Sequence, residues 1–152
     1  LPRMIGGKCS DLAIRRARAH STLLSADVAA AFDPNYPSVG DNANFAAIGQ
    51  GIAMVKYTGS RGKSGANDAA AELVGKVRKL FNDHGVVYQT SELGKVDQGG
   101  VGTIAYIMAN YDMDVIDAGV AMLSMHAPWE IVSKADVYMT SRAYHEFFVN
   151  YR

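Results

Sequence analysis

The stretch NDAAAELVGKVRKLFNDHGVVYQT, residues 67–90, decides the fold. Ala70, Leu73, Val74, Val77, Leu80 and Phe81 recur at three- and four-residue spacing, so they share one face of a helix predicted over Asn67 to His84. Gly85 supplies the left-handed residue with which helices commonly end. Val86-Val87-Tyr88-Gln89-Thr90 is then an apolar run of strand length. Upstream, Gly51 to Tyr57 contains Ile52, Ala53, Met54 and Val55 and reads as another strand. Strand, helix and strand in this order make a βαβ unit and predict parallel pairing.

Working outward, Asp11 to about Leu24 has Ala13, Ile14 and Ala17 at helical spacing behind a Ser10 cap. Leu23 to Ala31 reads as a buried strand. Asp33-Pro34-Asn35-Tyr36-Pro37 is a loop, because its prolines and Asn disfavour regular structure, and Ser38 to Gln50 continues it. Thr58–Gly65 and Ser91–Gly102 are two glycine-rich loops. Thr103 to Asn110 is a short helix and Met113 to Met122 a strand. Pro128 fits the first turn of a final helix reaching about Tyr151. The expected class is α/β, a mainly parallel sheet flanked by helices.

The composition narrows the function classes. Fifteen acidic and fifteen basic residues cancel among 152, so no net field favours nucleic acid or an anionic membrane. With 49% apolar and 20% charged residues the chain is ordinary for a globular protein. No apolar run approaches the roughly 18–20 residues of a membrane span. The single cysteine, Cys9, excludes an internal disulfide and points to a reducing, cytoplasmic setting. The start Leu1-Pro2-Arg3-Met4 has neither an initiator Met nor a signal-peptide layout, so the chain reads as part of a longer protein.

Two short stretches carry metal-capable side chains at strand ends, where open α/β sheets build their sites: Ser25-Ala26-Asp27-Val28 and Ser124-Met125-His126-Ala127. Asp27 and His126 offer the carboxylate and imidazole that zinc accepts. Each also has a plain reading, Asp27 as a turn cap and His126 as a structural or solvent-facing residue. His20 and His145 sit among helical charges and His84 at a helix end, which suits a cation there without any metal. Thr58-Gly59-Ser60-Arg61-Gly62-Lys63-Ser64 lies between a strand and a helix and ends like a phosphate-binding loop, with Val115-Ile116-Asp117 as a possible magnesium-assisting strand. The pattern needs glycine five positions before Gly62, where Tyr57 stands, so nucleotide binding is the weaker alternative. The aromatic residues Tyr138, Tyr144, Phe147 and Phe148 of the final helix read as core or subunit interface.

Taken together, several segments resemble the dinuclear zinc aminopeptidases that include aspartyl aminopeptidase and vacuolar aminopeptidase I, most closely their bacterial branch. They are Leu24 to Val28 with Asp33 to Pro37, Lys56 to Asn67, Glu92 to Gly100, and Leu123 to Pro128. The resemblance implies a zinc-exopeptidase domain, a three-layer sandwich of the phosphorylase/hydrolase type, of which residues 1–152 form the C-terminal portion. It implies Asp27 and His126 as two of the metal ligands, with the first His, a bridging Asp and a Glu-Glu pair that includes the general base lying upstream. Two zinc ions about 3.5 Å apart, or manganese or cobalt, would activate a shared water for peptide hydrolysis. Lys63, Asp97, Gly99 and Gly100 would line the substrate pocket, although the loop around Lys63 is a residue longer than in the aspartate-specific members. Peptide substrates and a tetrahedral dodecamer are further implications. The alternative is a non-catalytic binding or assembly module of the same fold.

Overall fold

The computed structural model describes residues 10–60, 64–92 and 103–152. Its centre is a four-stranded sheet built from β1 (Thr22–Ser25), β3 (Ile52–Val55), β6 (Tyr88–Ser91) and β7 (Asp114–Gly119), in the order β1-β7-β3-β6. The outer pairs, β1 with β7 and β3 with β6, are parallel, and the central pair of β3 with β7 is antiparallel. The sheet is thus mixed, with two of its three pairings parallel.

Side chains alternate across it. Ile52 and Met54 of β3 and Ile116 and Ala118 of β7 enter one core, under helices α2 (Ala71–Asp83) and α4 (Lys134–Asn150). Leu73, Val77, Leu80 and Phe81 of α2 and Ala143 and Phe147 of α4 complete it. Burial of each large apolar side chain contributes about 1.5–3 kcal/mol. On the opposite face, where Val115, Asp117 and Ala53 project, lies the start of α3 (Ala105–Ala109). Helices therefore flank the sheet on both sides.

The end of α2 follows from Gly85. With φ at 63° it lets Val86 N donate to Phe81 O at 2.9 Å and its own N–H to Asn82 O at 3.3 Å, a Schellman closure. The helix starts later than its periodicity predicts, because Asn67 and Asp68 belong to a strand. Tyr57–Ser60 (β4) and Ser64–Asp68 (β5) form an antiparallel hairpin where a loop was expected. This removes the nucleotide reading: a phosphate loop must open a helix at once, whereas Ser64 opens a strand and α2 begins only at Ala71.

Two expected strands each divide. The β1 path resumes as β2 (Ala29–Ala30), and the β7 path as β8 (Ala121–Leu123). Ser25 pairs with Asp117 and Ala29 with Ala121, both ninety-two positions apart. One parallel ribbon therefore runs through both sheets and breaks only at a joint around 26–28 and 120. The helix α1 (Asp11–Ala19) stops short of the expected Leu24, since Thr22 and Leu23 are already in β1. Pro128 does not open the last helix. A strand β9 (Ile131–Val132) pairs antiparallel with β8, and α4 starts only after the Ser133 cap, whose hydroxyl accepts from Asp136 N.

Candidate metal centre

Asp27 sits in the joint where the β1 path leaves the central sheet. One carboxylate oxygen accepts from Val28 N at 2.9 Å, and the other has no hydrogen-bond partner among the described residues. Its backbone rests on Gly119: a Cβ there would lie 1.9 Å from the Asp27 carbonyl oxygen. The missing side chain is what lets the two paths close up at this point.

Two groups from neighbouring elements feel the Asp27 charge. Tyr144 of α4 donates its hydroxyl to Ala118 O at 2.8 Å, and burial, with Asp27's charge adding to it, pushes its pKa up to about 12. Asp117 of β7 is 1% exposed, and burial raises its pKa above the usual carboxylate range. The hydroxyls of Ser25 and Thr103 work against that rise, while the Asp27 charge reinforces it.

His126 lies beyond the end of β8 in the turn Ser124–Ala127, closed by Ala127 N donating to Ser124 O at 3.0 Å. Its φ of 68° is the left-handed value that the third position of a type II turn requires. Ser124 is also left-handed, at 57°. Non-glycine residues held this way store backbone strain of about 1–3 kcal/mol each and cluster at functional sites. The Glu130 carboxylate accepts from His126 N at 2.7 Å and fixes the turn. The imidazole is exposed, and neither ring nitrogen has a partner among the described residues.

Both side chains thus have free donor atoms suited to a metal. Along the ribbon, Asp27 lies level with Gly119, and His126 follows by way of β8 and the turn. Among the described residues no group of three or more His, Cys, Asp or Glu side chains is arranged to hold a metal ion. The two residues are at most part of a shell, since a structural or catalytic zinc takes at least three protein ligands. The expected pocket residues Lys63, Asp97, Gly99 and Gly100 lie outside the described residues, as does Cys9.

The remaining histidines are placed differently. His20 caps α1, and His84 caps α2. His84 Nδ1 lies 3.1 Å and His145 Nδ1 3.4 Å from Glu146 oxygens on the α4 surface. Sequence reasoning passed over three residues that shape the candidate site: Gly119, Glu130 and the true setting of Asp117. Glu130 carried one signal, an acid four residues after His126 in a short loop.

Residues 3–148 match the family model described as aminopeptidase I zinc metalloprotease (M18). A probable M18 family aminopeptidase 1 from Clostridium acetobutylicum is 57% identical over 144 residues, covering 95% of this chain and 31% of that protein. The counterpart from Thermotoga maritima is 49% identical over 142 residues, covering 93% and 32%. The crystal structure of the Thermotoga maritima M18 aminopeptidase superposes with a TM-score of 0.89 at 49% identity, over 95% of this chain and 32% of that one. The yeast mApe1 dodecamer superposes at 0.71 with 26% identity, over 95% and 30%. The chain therefore spans about a third of the length of the relatives it matches. Among the described residues no helix is long and apolar enough to cross a membrane.

Proposed function

The chain belongs to the aminopeptidase I zinc metalloprotease (M18) family, and from that premise we propose that it is the C-terminal portion of a metalloaminopeptidase that removes N-terminal residues from peptides. The observation that carries this reading is the pair of free donors on an anchored backbone. Asp27 is seated against Gly119, and His126 is fixed in a strained turn by Glu130, with the outer carboxylate oxygen and the imidazole left open.

Asp27 and His126 would hold zinc, two ions per site, with manganese or cobalt as substitutes. The bound metal supplies an acidified water and polarises the scissile carbonyl. The roles of this chain are to present one carboxylate and one imidazole at fixed positions and to line the pocket with Lys63, Asp97, Gly99 and Gly100. The general base would be a glutamate supplied by the rest of the protein rather than by residues 1–152. Similarity to the yeast dodecamer supports a homo-oligomer, a tetrahedral dodecamer in its fullest form. The single cysteine supports a cytoplasmic location.

The test uses the whole protein. Purified under metal-replete conditions, it contains about two zinc ions per subunit, and Asp27→Asn and His126→Ala each lower that content and abolish peptide hydrolysis. Full zinc content and activity in both variants would refute the assignment.

A further inference from the structure

On facing register positions, β1 and β7 carry two buried polar side chains that the proposed chemistry leaves unused. Ser25 is 3% exposed and Asp117 1%. Asp117 Oδ2 accepts from Thr103 Oγ1 at 3.1 Å, and Thr103 Oγ1 in turn accepts from Ala105 N at 3.2 Å at the start of α3. Asp117 Oδ1 and Ser25 Oγ make no hydrogen bond of ordinary geometry among the described residues, although the Ser25 hydroxyl lies close enough to favour the Asp117 charge. A carboxyl group with one bare oxygen is costly to bury. An apolar side chain in the same place, like its neighbours Ile116 and Ala118, would not carry that cost.

What distinguishes this position is its place in the ribbon. Two residues beyond Ser25 stands Asp27, and two residues beyond Asp117 stands Gly119, against which the Asp27 carbonyl rests. Asp117 and Asp27 therefore belong to the same short closure of β1 against β7. Two acidic groups brought together at a joint are relieved by one neighbour above all, a divalent cation.

We propose that Asp117 is a positioning residue for the metal ligand Asp27, holding the end of β1 in place through the Ser25 row and adding a second negative charge behind the ion. This deepens the aminopeptidase reading and rests on it. Partners of this kind behind a metal ligand change affinity by about 10–100-fold when removed. Asp117→Asn keeps the shape and an acceptor for Thr103 while deleting the charge.

The experiment measures zinc affinity in the whole protein by chelator competition, beside the melting temperature of the metal-free form. For Asp117→Asn the expected results are zinc binding weakened about tenfold or more, a metal-free melting temperature at or above that of the unsubstituted protein, and kcat recovered at saturating zinc with KM unchanged. Native zinc affinity with a lowered metal-free melting temperature would show an ordinary core role and overturn the proposal. If Asp117→Asn does not fold, Ser25→Ala carries the test, with zinc weakened about threefold; native affinity there overturns the proposal equally. Asp27→Asn separates the two levels. Zinc lost in Asp27→Asn but native in Asp117→Asn overturns the positioning role alone, whereas zinc retained in Asp27→Asn overturns the ligand assignment beneath it.

Discussion

Replacing Gly119 by alanine tests the geometry of the joint with a single methyl group. The new Cβ would lie 1.9 Å from the Asp27 carbonyl oxygen, 2.7 Å from its carbon and 3.2 Å from Val28 N. Ordinary contact begins at 3.4 Å, so the two paths must part by about 1.5 Å. Both obstructing groups are backbone, so no rotamer change relieves the clash. Overpacking of this kind costs about 1–3 kcal/mol. The retreat also carries Asp27 away from its proposed ligand position, and a displacement of about 1 Å at a catalytic site costs about 100-fold in rate. Gly75→Ala is the matched control, because nothing lies within 4 Å of its Cβ and it stands inside α2. That change should raise stability by about 0.5–1 kcal/mol and leave hydrolysis untouched. The assay is chemical denaturation alongside kcat/KM on an N-terminally free peptide, in the whole protein. Gly119→Ala with native kcat/KM would refute the claim that the Asp27 backbone must sit against β7.

Glu130→Ala removes the acceptor that fixes His126 N, and the two left-handed residues of the turn are then free to relax. Zinc affinity should fall about tenfold with little change in melting temperature, and equal affinity would show that the turn holds itself. Asp136→Ala acts on the fold: its buried carboxylate accepts from Gly49 N at 2.6 Å and Gly51 N at 2.8 Å, tying the approach to β3 onto α4. Charge-assisted bonds to buried donors predict a loss of about 3–5 kcal/mol in denaturation, and a loss under about 1 kcal/mol would contradict the role. Tyr144 gives a pH signature. Its folded pKa is raised to about 12 from 10.0, so its contribution is complete below pH 10 and is lost as pH climbs toward 12. Tyr144→Phe should flatten the stability-versus-pH curve in that window, and an unaltered alkaline limb would refute it.

Much of the fold was legible because its signals are local. The α2 face, the Gly85 closure and the β3 and β6 runs each follow from spacing or from one residue's backbone preference. The β4–β5 hairpin was not, since Thr58-Gly59-Ser60 pairs with Ser64-Gly65-Ala66-Asn67 and neither stretch has the apolar alternation of a half-buried strand. The division of the β7 path at Val120 was equally hidden, because Val115 to Met122 is apolar apart from Asp117 and the break comes from pairing with β2 and β9. Pro128 suits a helix start as well as a hairpin loop, and only the β8–β9 pairing decides between them. At the candidate site the residue types of Asp27 and His126 were readable from their strand ends. Gly119, Glu130 and Asp117 act through register and loop closure, which no local pattern encodes.

The most direct test of the account is an anomalous-difference map of the intact protein, collected at the zinc edge. The account predicts two neighbouring peaks, one within about 2.0–2.2 Å of an Asp27 carboxylate oxygen and the other within about 2.1 Å of a His126 ring nitrogen. Peaks that leave either residue uncoordinated, or that bring zinc to the His84 and His145 pair instead, would contradict it.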